Sequence, residues 1–112
     1  MNNLNKNKRT IKKRSNKLSR AEKGRFSIIA PNLDNCVMCG KKKHHLHEIF
    51  FGTGKRQLSM KYGLVIPLCY KCHDIIHKEA VLQDIWHIKG QTLFEQAYPN
   101  LDFLEIFGEN YK

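Results

Sequence analysis

The residues most able to do chemistry are four cysteines and a group of histidines between and beside them. Cys36 and Cys39 are separated by two residues, and so are Cys69 and Cys72. Two thiolates three positions apart can clasp one ion, and two such pairs complete a tetrahedral four-thiolate site of the structural zinc kind, with no coordination position left open for catalysis. His73 and His77 follow the second pair one helical turn apart and share a face if that stretch is helical. His47 and Glu48 lie in the apolar run between the pairs. A metal clasp that draws Cys36 and Cys39 to Cys69 and Cys72 brings those two segments together, and places imidazoles and a carboxylate around one spot apart from the thiolate-bound ion. Such a group suits a divalent metal and a general base acting on a phosphodiester.

The elements that must position these groups can be read from pattern. Phe26 opens the packed part, and Asn32 to Asn35 reads as a turn into Cys36-Val37-Met38-Cys39-Gly40. Leu46 to Phe51 is strand-prone. Gly52-Thr53-Gly54 ends that strand and opens a basic loop through Lys61. Tyr62 to Leu68 reads as a second strand, with Pro67 near its end. Cys69 to Ala80 reads as a helix with Ile75, Ile76 and Ala80 toward the core. Helical periodicity continues through Val81, Leu82, Ile85, Trp86 and Ile88. Gly90 is a possible interruption, and Gln91 to Tyr98 a further short helix. The apolar residues of Leu101 to Phe107 should dock on the domain.

Charge divides the chain into the same three parts. The protein has 112 residues and a net charge of +10. Residues 1–25 carry +9, residues 26–78 carry +5 and residues 79–112 carry −4. The first segment has few large apolar side chains, so disorder in isolation is expected for this basic arm. Basic residues of the arm, with Lys41, Lys42, Lys43, Lys55, Arg56 and Lys61 beside the histidines, make an electrostatic footprint for nucleic acid. His44 and His45 are expected to be solvated or to meet phosphate, and His87 to be a surface or partly packed helix residue. The expected organisation is an arm over 1–25, a zinc-stapled domain over 26–80 and a helical wrap over 81–112. No run of about 18 apolar residues suggests a membrane span. The thiols are expected to remain reduced in a cytoplasmic setting, that of a host cell if the gene is phage-borne.

The texts CVMCG, LHEIFFGTGKRQLS and YGLVIPLCYKCHDIIH resemble the HNH endonuclease family, in particular its small phage-borne members, over about Asn35 to His77. The resemblance implies an α+β fold of the ββα-metal (HNH) type, an antiparallel hairpin and a helix gripping one ion, here stapled by the four-cysteine zinc knuckle. It implies hydrolysis of DNA by a one-metal mechanism. On the first strand the family has a metal ligand followed by a base histidine. His47 and Glu48 hold those places, so either His47 is a ligand with Glu48 as base, or His47 is the base. His73 and His77 match the helix ligands. Lys55 stands where a loop asparagine is expected, and Arg56 is a candidate clamp for the transition-state phosphate. Magnesium or manganese is the implied catalytic ion, with nickel or zinc acceptable to histidine-rich ligation. Partners implied are DNA and the packaging or recombination proteins of a phage. The alternative is a catalytically decayed zinc-ribbon that binds nucleic acid or serves in phage assembly.

Overall fold

The computed structural model describes residues 19–112. The expectation of a disordered arm falls outside the described residues for positions 1–18. Residues 19–23 are helical, and the segment after them runs onto the fold. The element order is β1 (His45–Glu48), α1 (Lys55–Lys61), β2 (Val65–Leu68), α2 (Tyr70–Lys78), α3 (Ala80–Ala97) and α4 (Phe103–Phe107). It is an α+β arrangement around one two-stranded antiparallel sheet, with His45 opposite Leu68, His47 opposite Ile66 and Glu48 opposite Val65. Among the described residues no helix is long and apolar enough to cross a membrane.

Four residue pairs of ladder cannot hold a hairpin together in water. The sheet is therefore extended by other means at both ends. Near Glu48, the amide of Ile49 donates to the Leu64 carbonyl at 3.0 Å. Ser59, fully buried on α1, then takes the place of a third strand. Its Oγ donates to the Phe50 carbonyl at 2.7 Å and accepts from the Phe50 amide at 3.0 Å. At the other end the His44 amide donates to Leu68, and the Val37 amide donates to the carbonyl of Pro67. Pro67 offers no amide, but its carbonyl bonds the first cysteine knuckle to the sheet.

Three sequence expectations change. The segment after Gly54 is a helix and not a loop, because Ser59 and Met60 are buried and Leu58 packs against the core on one side of the run Lys55–Lys61, while Gln57 and Lys61 stay exposed. Gly90 does not interrupt: α3 runs unbroken from Ala80 to Ala97. Its buried face is Trp86, Gly90, Gln91 and Phe94, the i, i+4, i+5, i+8 spacing of one helix stripe. Gly90 belongs there because a Cβ would stand 3.1 Å from the Phe50 ring and 3.2 Å from Ile49. Of the residues that carry the helical periodicity, Val81, Ile85 and Ile88 are 68%, 50% and 44% exposed. Ala80 is also exposed, since it starts α3 and does not continue α2.

The core gathers Leu64, Ile66, Leu68 and Ile76 between sheet and α2, and an aromatic group around Phe50. Phe103 and Phe107, one turn apart on α4, stack at 4.4 Å and meet Phe50 at 5.2 and 5.0 Å. The docking expected of the final segment is thus made by these two rings, while Leu101 and Leu104 stay exposed. Asp102 caps α4 through the amides of Leu104 and Glu105. Gln91, buried on α3, holds the chain beyond α4 by accepting from the Tyr111 amide and donating to Asn110.

Gly63 turns the chain from α1 into β2 with φ +75°, and a Cβ there would lie 2.5 Å from the Phe26 ring. A side chain at this φ costs about 1–3 kcal/mol before any clash is counted. Gly63→Ala is expected to lower the unfolding free energy by about 2 kcal/mol, read as a lower denaturation midpoint at unchanged slope.

Two candidate metal centres and the charge network behind them

The first cluster is built by two turns. In the knuckle, the Cys36 amide bonds the Lys41 carbonyl, and the Gly40 amide bonds back to Cys36, with Gly40 at φ +81°. That left-handed residue closes the loop around the thiols. Across the sheet, Cys69 is the N-cap of α2, and its sulfur accepts from the Cys72 amide. The four sulfurs lie within 4.8 Å of one another, all four residues are free thiols, and the Cys39 and Cys69 sulfurs are 3.6 Å apart. A tetrahedron of zinc–sulfur bonds of about 2.3 Å has edges of about 3.8 Å, so the donor set fits that ion.

The electrostatics of the cluster ask for a cation. Against the upward push of burial, the backbone amides of Cys69, Cys39 and Met38 bring the Cys36 thiol down to about 6. Burial and the three neighbouring thiols push Cys72 up to about 12. Four thiols this close cannot all ionise unless a positive charge sits among them. The cluster accordingly suits a structural metal such as zinc.

The second group lies on the β1–α2 face. His47 points from β1 toward His73 and His77 on α2, and one nitrogen from each of the three lies within 4.8 Å of the others. Ring centroids are 5.2 Å (His47–His73), 5.4 Å (His47–His77) and 4.6 Å (His73–His77). The Nε2 atoms of His73 and His77 are 3.0 Å apart. That spacing allows a hydrogen bond between the rings, and it is also an edge of a coordination polyhedron with bonds of about 2.1 Å. Burial, reinforced by the charges of His73, His77 and His87, holds His47 down to about 3. Burial also lowers His73. Both rings are therefore neutral near pH 7, the form that binds metal.

His45 also faces this group, two residues before His47 on the same side of β1, with its ring 4.8 Å from that of His73. It is a strand residue and not part of a solvated loop. His44 precedes the strand, accepts on Nδ1 from the Tyr70 amide and stacks on the Tyr70 ring. His87 is partly packed: it stacks on Phe50 and its Nε2 lies 3.1 Å from the Ile49 carbonyl. Phe51, largely exposed, stands at the rim between His47 and His77.

Glu48, adjacent to His47, points to the other side of the strand. Its Oε1 accepts from Arg56 Nε at 2.6 Å, and its Oε2 lies 3.3 Å from an Arg25 nitrogen without hydrogen-bond alignment. Arg56 also donates to Glu22 at 2.6 Å, and Arg25 meets Glu22 at 3.4 Å. Two glutamates and two arginines thus close a ring that fastens the segment from Glu22 to Arg25 onto the hairpin. Arg56 is committed there, and its hydrogen bond to Glu22 holds that carboxyl below the usual range. Lys55 is held by Glu109 at 2.7 Å and by the Tyr111 hydroxyl at 3.2 Å. Of the other lysines expected at a nucleic-acid surface, Lys41, Lys42 and Lys61 are exposed and Lys43 is half-buried.

The ring was legible only in part. Glu48 and Arg56 stood out in sequence, but no local pattern links Glu22 and Arg25 to them across 23 residues or more. In comparisons with family models, with curated proteins and with solved structures, the chain has no significant match.

Cobalt added to the reduced, metal-free protein is expected to give the intense visible bands of tetrahedral thiolate cobalt at the first equivalent, and Cys69→Ser to remove them. Chelation of that ion should collapse the far-ultraviolet helical signal, because the sheet is too short to persist without the clasp. Glu48→Ala leaves Arg25 and Arg56 with Glu22 as their one shared carboxylate in a part-buried site. The expected loss is about 1–2 kcal/mol of stability, measured by denaturation.

Proposed function

We propose that the protein is a metal-dependent DNA endonuclease of the HNH (ββα-metal) kind, with zinc in the four-cysteine site and a divalent ion held by His47, His73 and His77. The observation that carries this reading is the convergence of three imidazoles from a strand and a helix, away from the thiols and on a chain of net charge +10. A site of nitrogen donors alone, backed by a basic surface, suits an ion that must meet a phosphodiester. When bound there, the ion would supply Lewis-acid stabilisation of charge on the phosphate and on the leaving oxygen.

The chain's own groups divide the remaining work. His47 is buried and weakly basic, which fits a ligand better than a proton acceptor. Glu48 is held by Arg25 and Arg56 on the other face of β1. His45, with its ring beside His73 and outside the ligand trio, is the group we assign to take the proton from the attacking water. All-nitrogen ligation favours manganese, nickel or zinc over magnesium. Lys41, Lys42 and Lys61 would contribute sequence-independent affinity that falls with salt.

Supercoiled plasmid incubated with the zinc-loaded protein and Mn²⁺ tests this. Nicking is expected, abolished by His73→Ala and reduced by about a hundredfold or more in His45→Ala, with manganese binding intact in the latter. Intact plasmid, or a His73→Ala protein as active as the parent, would sink the enzyme. Retarded plasmid that stays intact would favour the nucleic-acid binder.

A further inference from the structure

The motif residues leave one feature of the surface without a task. Beside the thiol cluster lies an open groove of about 430 Å³, lined among others by Cys39, Lys41, His44, Tyr70, Lys71 and Ile75. Tyr70 is the most conspicuous of these. As the first residue of α2 it is 64% exposed, although a tyrosine ring usually finds cover. It is nevertheless held in place. His44 stacks on it at 4.3 Å with the rings 22° apart, and His45 meets it at 4.9 Å with the rings nearly perpendicular.

The hydrogen bond from the Tyr70 amide to His44 Nδ1 fixes the histidine as well. With Nδ1 accepting, the neutral ring carries its proton on Nε2. The result is a rigid, exposed aromatic pair with an N–H donor at its edge. No carboxylate lines the groove among the described residues, while Lys41 and Lys71 border it. A four-thiolate zinc would carry a formal charge of −2, and these lysines offset it at the groove's rim. Preorganised aromatic surface with cations around it is the chemistry that holds an unpaired nucleobase by stacking and its phosphate by charge.

The groove also connects to the imidazole trio. From the Tyr70 ring, one step of 4.9 Å reaches His45 and a second of 4.8 Å reaches His73. A base seated on Tyr70 would leave the backbone of its own or the next nucleotide near those imidazoles.

We propose that Tyr70 and His44 form a stacking platform for an unpaired DNA base, giving the protein a preference for single-stranded or locally opened DNA next to the bond it cleaves. This deepens the nuclease reading and rests on it for the link to cleavage, though base binding can be measured without it.

The zinc-loaded full chain, with no other divalent ion added, is titrated into a single-stranded oligodeoxynucleotide carrying 2-aminopurine and into the matching duplex. Stacking should quench the fluorescence of the single strand. Tyr70→Ala should remove the quench and weaken single-strand binding about tenfold while duplex binding stays the same, and Tyr70→Trp should restore both. Because Tyr70 is mostly exposed, the alanine variant should remain folded, which its circular dichroism would verify. A Tyr70→Ala protein that quenches like the parent, or a parent that binds single strand without quenching, overturns the platform. A Tyr70-dependent quench in a protein that never nicks plasmid leaves the platform standing and removes the nuclease. Nicking without such a quench does the reverse.

Discussion

The four thiols at the junction of knuckle, β2 and α2 are the constraint on which the rest depends. Cys36 and Cys39 are more than 30 residues from Cys69 and Cys72, except that Cys39 and Cys69 span 30, yet their sulfurs lie within 4.8 Å. Between them the chain must go out as β1, cross α1 and return as β2. Closing that loop at the cluster leaves the strand pairing only a short further closure to make. A sheet of four pairs gains little by itself, but a sheet whose return end is clasped to the outgoing knuckle has lost most of the freedom it could recover by opening. The direct bonds from Val37 to Pro67 and from His44 to Leu68 follow from the same closure.

That closure also decides what the imidazoles can do. α2 begins at the cysteine cap, so His73 and His77 are fixed in rotation about its axis by Cys69 and Cys72. Cys72 and Ile76 turn into the core, and residues one position after each turn toward β1. The helix that binds the thiol cluster on one stripe therefore offers two histidines on the next. Burial keeps His47 neutral against that pair, and the basic surface lies outside it.

What the sequence revealed and what it hid follow from range. Cysteine spacing is local and chemically narrow, so the cluster was legible. His73 and His77 share a face by helical geometry, and their approach to His47 followed from the clasp. The helix at Lys55–Lys61 was hidden because glycines before it and charges within it resemble a loop, while its burial rests on Ser59 bonding the distant Phe50 and on Met60 being covered. Ser59 bonding Phe50, Gln91 bonding Tyr111 and Gly90 admitting the Phe50 ring are tertiary facts with no pattern of their own. Val81, Ile85 and Ile88 are the converse case. Their periodicity is helical, but the stripe that packs is the one through Trp86 and Phe94.

The deepest consequence lies in the four residues of β1, where alternation separates two tasks. His45 and His47 face α2 and its histidines, while Glu48 faces Arg25 and Arg56. A slip of one residue would turn the carboxylate toward the imidazoles and leave Arg25 and Arg56 without Glu48. Such a slip is opposed from both sides: by the thiol clasp, which fixes where β2 begins its approach to α2, and by the Glu48–Arg56 bond, which fixes β1 against α1. The same glutamate that stands next to a ligand in sequence thereby serves the site indirectly, by holding the strand in the one register that presents His47 to His73. Through that side chain the segment from Glu22 to Arg25 is joined to the strand that carries His45 and His47.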